Sequence, residues 1–297
     1  MSNARQKCLH KRYPTMEDDL REAAAEGEFD PFNEHLDHLD CIVTPDGNTI
    51  LQIHLSIARE RSTEFIKQVV GNCPKLLSQE NSDGNTPLHI APRRGHTDAA
   101  EELIKLAEAL HDIQSEEVAT DGKMEAVREM LRKVNKKKET ALHVAARSGR
   151  SLGVVKAILS KEDPQFTYRV NNDKETPLYL AVDNTCTNIV AELLNNPNSQ
   201  SLDYGGPNAE TVLHKAVRRW DTVDFLSKVV CMLLEKQSSL AKELDEHGRT
   251  PLHYAAYEGS SSMVATLLDK DKSIAYIATK SQLRTTLHIA VTEGNNT

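Results

Sequence analysis

The chain has 297 residues, of which 39% are hydrophobic and 27% charged, a soluble globular composition; aromatics are so few, at 4%, that Leu, Ile, Val and Ala must build the core. The net charge of −8 argues against a nucleic-acid partner, which needs clustered Lys and Arg, and the one dense basic run, Lys136-Lys137-Lys138, reads as a solvated loop. No window reaches the roughly 18 apolar residues of a membrane span, and Cys8, Cys41, Cys73, Cys186 and Cys231, odd in number and scattered, read as reduced thiols of a cytosolic chain.

Residues 1–16 form a flexible basic leader, with Arg5, Lys7, Lys11 and Arg12 but no apolar run behind them to make a signal peptide. The stretch from Asp19 to Gly27 predicts a helix, and a second follows around Asp30 to Leu39; together they make a polar N-terminal capping half-repeat over 17–45.

From residue 46 onward a short string recurs, at its best Thr-Pro-Leu-His, an apolar residue and Ala. Copies begin at Thr49, Thr86, Thr140, Thr176, Thr211, Thr250 and Thr285, most of them 35 to 39 residues apart. The threonine suits an N-cap and the proline the first helical position. Gly95, Gly149, Gly259 and Gly294 end the short helices, and a second apolar stripe follows, for example Met263, Val264, Leu267 and Leu268 after Gly259. Asp46-Gly47, Asp83-Gly84 and His247-Gly248 predict tight hairpin turns between helix pairs. Because His89, His143, His214, His253 and His288 hold one place in successive repeats, they are expected to bond the preceding threonine and loop backbone rather than a metal. In the first copy Gln52 replaces this His and His54 the Ala, so its local bonding should differ.

Helix, helix and hairpin at this period resemble the ankyrin repeat, which implies an all-α solenoid of stacked helix pairs with hairpin loops over 46–297. Four places depart from the pattern. Pro92 should end or kink the helix begun at Pro87. An insertion at about 107–134 keeps helical spacing through Met124, Val127, Leu131 and Val134, with an acidic loop over Asp112 to Asp121 before it. Trp220 replaces a terminating Gly beside Arg218 and Arg219. The last repeat is incomplete, so Leu287, Ile289 and Val291 should lack cover, which suggests a fragment or truncated form.

Several stretches match more closely than generic repeats do: Phe29-Asp30-Pro31-Phe32, Cys73-Pro74-Lys75-Leu76-Leu77, Asp163-Pro164-Gln165-Phe166-Thr167-Tyr168, Tyr204-Gly205-Gly206-Pro207-Asn208 and Leu267-Leu268-Asp269-Lys270-Asp271-Lys272. With Met130-Leu131-Arg132 they resemble the plant accelerated-cell-death-6 type of ankyrin protein. That resemblance implies the cytosolic array of a plasma-membrane protein acting in defence, salicylic-acid signalling and cell death, joined to the membrane only through a C-terminal domain absent from this chain. A soluble adaptor or truncated paralogue, and the regulatory domain of a channel or transporter, are the alternatives.

The residues themselves favour a non-catalytic protein-binding scaffold, with no cofactor, metal or small-molecule substrate: there is no Gly-rich phosphate loop and no G-x-S-x-G elbow. Partner contacts are expected on the concave face, at Asn85, Arg93, Arg94, Arg147, Asp183, Arg218, Arg219, Trp220, Tyr257 and Glu258, with Glu139, Glu175, Glu210 and Arg249 also exposed there. Substituting Arg93, Arg94, Arg147 and Arg218 together is expected to abolish partner capture without lowering the melting temperature.

Overall fold

The computed structural model describes residues 16–58, 63–114, 120–197, 201–219, 223–280 and 282–294; the expected leader, apart from Met16, and Trp220 lie outside them. Every copy of the string opens a helix, and the first and fourth residues give the reason. In the Thr86 copy, His89 Nδ1 accepts from the Thr86 backbone N–H at 3.2 Å and lies 2.8 Å from its hydroxyl. The same reciprocal box forms at Thr140–His143, Thr211–His214, Thr250–His253 and Thr285–His288, where it satisfies donors that a helix start leaves orphaned. With Nδ1 accepting, the proton is assigned to Nε2, which in His89 and His214 reaches the residue ahead of the next threonine. His89 Nε2 bonds the Glu139 carbonyl at 2.9 Å, and His214 Nε2 the Arg249 carbonyl at 3.0 Å. These histidines tie one repeat to the next.

Gln52 does not change that arrangement, contrary to the sequence expectation. Its Oε1 accepts from the Thr49 N–H at 2.9 Å and its Nε2 donates to the Asn85 carbonyl at 2.7 Å, so a primary amide supplies the acceptor and donor that imidazole supplies elsewhere.

The hairpins share a second device. Asn81 Oδ1 accepts from the N–H groups of Asp83 and Asn85, both at 3.0 Å, and Asn135, Asn171 and Asp245 fold their loops in the same way. Two residues before each threonine the backbone is left-handed. Gly47, Gly84 and Gly248 hold that place at φ 72° to 78°, whereas Lys138, Lys174, Ala209 and Leu283 hold it at 50° to 62°. Glycine marks the turn in only three of the seven copies, so a search for Gly dipeptides misses the rest.

The chain divides into two compact units, Met1–Asp163 and Pro164–Thr297. In the first, the helix Asp18–Glu26 packs on Ile50–Ile57, Ile50–Ile57 on Pro87–Ile90, and Pro87–Ile90 on Ala141–Ser148. The second helices, Thr63–Asn72, Thr97–Gln114 and Leu152–Leu159, stack in a parallel layer. In the second unit Pro177–Asp183, Val212–Arg218, Pro251–Tyr257 and Thr286–Thr292 form one layer, and Thr187–Asn195, Val223–Lys236 and Ser261–Lys270 the other. Between the layers lie the small and branched residues of the string and of the second helices, such as Leu142, Ala145 and Val155 in one unit and Leu213, Ala216 and Val230 in the other, all fully buried. Among the described residues there is no strand, only isolated bridges such as Val43 with Thr49.

Pro92 acts as its chemistry dictates: the α-helix ends at Ile90 and a 3-10 turn, Ala91–Arg94, finishes the element. The insertion is a helix, Thr120–Arg132, packed on a long preceding helix, Thr97–Gln114, and buries Val127 and Leu131. Two details differ from the sequence reading. Asp112 to Gln114 and Thr120 to Asp121 are helical rather than loop, and Val134, beyond the helix end, is half exposed. Among the described cysteines, Cys73, Cys186 and Cys231 are free, but Cys41 is disulfide-bonded, which departs from five reduced thiols.

Candidate interaction surface

Hairpins and the C-terminal ends of the first helices meet on one side of each unit. In the first unit they enclose an open cleft of about 700 Å³. Its charged lining is four basic side chains, Arg93, Lys136, Lys137 and Arg147, against Asp83 and Glu139. Glu139, though part of the lining, is only 3% exposed. Burial works against its charge, but a hydrogen bond from Asn135 Nδ2 at 3.2 Å and the Arg147 guanidinium at 2.5 Å outweigh that and hold its carboxyl below the usual range. Asn135 Nδ2 also reaches Asn85 Oδ1 at 3.0 Å, so adjacent hairpins share one polar network.

The second unit repeats the motif with different residues. Arg218 pairs with the buried Glu210, while Asp183 holds Lys215 at 2.8 Å and Arg219 at 3.8 Å. Tyr179 donates its hydroxyl to Glu210 Oε2 at 3.2 Å. Tyr254 donates to Asp245, and the guanidinium groups of Arg218 and Arg249 lie over its ring, 5.2 and 5.6 Å from the centroid. Burial and the neighbouring Asp245 carboxylate push the Tyr254 hydroxyl up to about 12.

The expected contact residues that are described therefore fall into three groups. Arg93, Arg94, Tyr257 and Glu258 are exposed. Asn85 is buried, its carbonyl taken by Gln52 and its side chain by Asn135, so it frames the surface rather than lining it as a free donor. Glu139 and Glu210, expected to be exposed, are buried as well. Arg147, Arg218, Asp183 and Arg219 are at the surface but committed to ion pairs. Substituting Arg147 or Arg218 strands a buried carboxylate, so the fourfold arginine variant would lose stability as well as binding. Lys137, taken from sequence as loop, is a missed lining residue; the hairpin fold, invisible in a run of three lysines, carries it to the cleft. Among the described residues, no group of three or more His, Cys, Asp or Glu is placed to hold a metal ion, and no helix is long and apolar enough to cross a membrane.

The family model described as "Ankyrin repeats (3 copies)" matches residues 53–168, 116–204, 192–278 and 227–297. The chain belongs to the ankyrin-repeat family. Over 242 residues, 78% of its length, this ankyrin chain is 28% identical to Protein ACCELERATED CELL DEATH 6 of Arabidopsis thaliana, and it covers 34% of that relative. It is 25% identical over 83% of its length to inversin of Homo sapiens, of which it covers 21%. The chain thus spans about a third or less of the curated relatives it matches. The ankyrin-repeat domain of Bcl-3, a member of the IkappaB family, superposes with a TM-score of 0.61 at 20% identity, over 82% of this chain and 95% of that one, a likeness of fold alone.

Proposed function

We propose that this chain is a non-catalytic protein-interaction scaffold whose docking surface, in each unit, is the side made by hairpins and first-helix ends. One observation carries the reading. The framework keeps its Thr and Leu in every copy and its His and Ala in most, while the residues it presents on that side differ from copy to copy: Arg93, Arg147, Asp183, Arg218 and Tyr257 stand at related places. A fixed scaffold with variable display is what recognition by a repeat protein requires.

The cellular setting we propose is the cytosolic side of a plant plasma membrane, in defence, salicylic-acid and cell-death signalling, with anchoring through a domain outside this chain. The resemblance of Phe29-Asp30-Pro31-Phe32 and the other stretches, together with the 28% identity to the Arabidopsis protein, supports this setting over a soluble adaptor or a channel-regulatory domain.

Peptides selected on the immobilised chain by display, then mapped by amide exchange, test the surface. Protection should centre on residues 83–94 and 135–148 or on 203–219 and 245–258. Protection confined to the second helices, such as Thr63–Asn72 and Leu152–Leu159, would sink the assignment.

A further inference from the structure

The two units compensate charge differently on this side. In the second, Asp183 serves Lys215 and Arg219, and Glu210 serves Arg218, so three of its basic groups are locally neutralised. In the first, Glu139 is buried and committed to Arg147 and Asn135, while Arg93 and Lys137 form no ion pair among the described residues. Four basic side chains against two acidic ones leave the cleft positive on a chain whose net charge is −8. Walls of protein around an open cleft focus that field and strengthen its attraction for an anion.

We infer that the cleft of the first unit docks a carboxylate-rich peptide segment of a partner protein, with Arg93 and Lys137 as the anion contacts. The inference rests on the scaffold reading and names the partner chemistry for one part of the surface. Several features make a peptide the fitting ligand. The cleft is open and about 700 Å³, room for an extended segment rather than an enclosed small molecule. Its charges sit on separate elements, Arg93 at the end of a first helix and Lys137 at a hairpin tip, so a ligand with spaced carboxylates meets both. Val144 adds one apolar side chain to the lining, and the buried Asn135 and Asn85 are joined there by a hydrogen bond. An extended nucleic acid would meet a chain whose overall charge repels it.

The test titrates a fluorescein-labelled glutamate-rich dodecapeptide into the whole chain at low salt, alongside its glutamine and lysine counterparts and an oligothymidylate of similar length. The acidic peptide should bind at least about tenfold more tightly than the glutamine peptide and lose that margin as salt rises. Arg93→Glu and Lys137→Glu should each weaken it by about tenfold or more, while Lys67→Glu, on the second helix Thr63–Asn72, leaves it unchanged. Both residues are exposed and outside the buried network, so the variants should melt like the parent. Equal binding of acidic and glutamine peptides, indifference to both substitutions, or equal and equally sensitive binding of the oligothymidylate each overturns the proposal. If display yields neutral or basic peptides that still protect 83–94 and 135–148, this inference fails while the scaffold reading stands. Selected peptides that protect only second helices defeat the scaffold reading itself.

Discussion

At the scale of single residues, the repeat depends on side chains that offer one acceptor and one donor about an imidazole's width apart. Gln52 does so with an amide, which makes a sharp comparison possible. His89→Gln should cost no more than about 1 kcal/mol, whereas His89→Ala, which strands the Thr86 N–H and the Glu139 carbonyl, should cost about 2–4 kcal/mol, read as the shift in a urea unfolding curve. The parent and His89→Gln also separate in pH. Burial holds His89 down at about 4, below its ordinary 6.5, so the folded chain prefers the neutral ring while the unfolded chain takes up a proton first. Stability present above pH 6.5 is then lost as pH falls toward 4, by about 3 kcal/mol in full. His214 and His253 are shifted in the same direction by burial, so His89→Gln should flatten this acid limb without abolishing it. The threonine and histidine roles were legible because they recur in phase. The left-handed backbone at Thr185 was not, since a β-branched residue gives no sign of it. Thr185 stands where Gly259 ends its helix, and Cys186 N–H bonds the Ala181 carbonyl just as Ser260 N–H bonds Ala255. Thr185→Gly should therefore stabilise the second unit by about 1 kcal/mol, visible as a higher melting temperature.

At the scale of elements, the insertion shows what spacing could and could not reveal. Val127 and Leu131 gave its helix away by period, but the contacts that fasten it are charged and long-range. Arg132 reaches Glu162 at 2.6 Å, Arg128 donates to the Lys161 carbonyl at 3.4 Å, and Lys161 pairs with Glu108 at 2.7 Å. The Glu162 side chain is 1% exposed, so the pair is a buried tie between the inserted helix and the turn after Leu152–Leu159. No pattern in the sequence connects residues thirty apart by charge alone, because most Arg and Glu there are solvated. Arg132→Ala leaves a carboxylate in the protein interior and should destabilise by about 3 kcal/mol. Amide exchange should accelerate first in Thr120–Arg132, and replacing Arg132 and Glu162 together by Met and Leu should recover much of the loss. Uniform acceleration across the first unit would instead mean that the inserted helix is integral to the repeat core.

At the scale of the whole chain, seven copies of one string fixed the architecture, while the surface that distinguishes this array was written in residues whose neighbours come from other copies. Arg147 reads as exposed until Glu139 is seen beneath it, and Lys137 reads as loop until the hairpin turns it into a cleft. The last copy carries the complementary lesson. In the complete repeats the leucine of the string is buried, as Leu88, Leu142, Leu178, Leu213 and Leu252 are, yet Leu287 is 68% and Val291 71% exposed. Ile289, expected to be uncovered with them, instead turns inward against Ala256 together with Ala290. Leu287 and Val291 lie one helical turn apart on the open face of Thr286–Thr292, and Leu283, 76% exposed, adds to the patch. Exposed apolar surface of this kind drives association when nothing covers it. The double variant Leu287→Ser, Val291→Ser should lower the concentration dependence of the mass read by light scattering and reduce binding of an apolar dye, with the melting temperature held, since both side chains are largely exposed. Unchanged association in the variant would place self-contact elsewhere, and a clear fall in melting temperature would show that the two side chains pack against the array in solution.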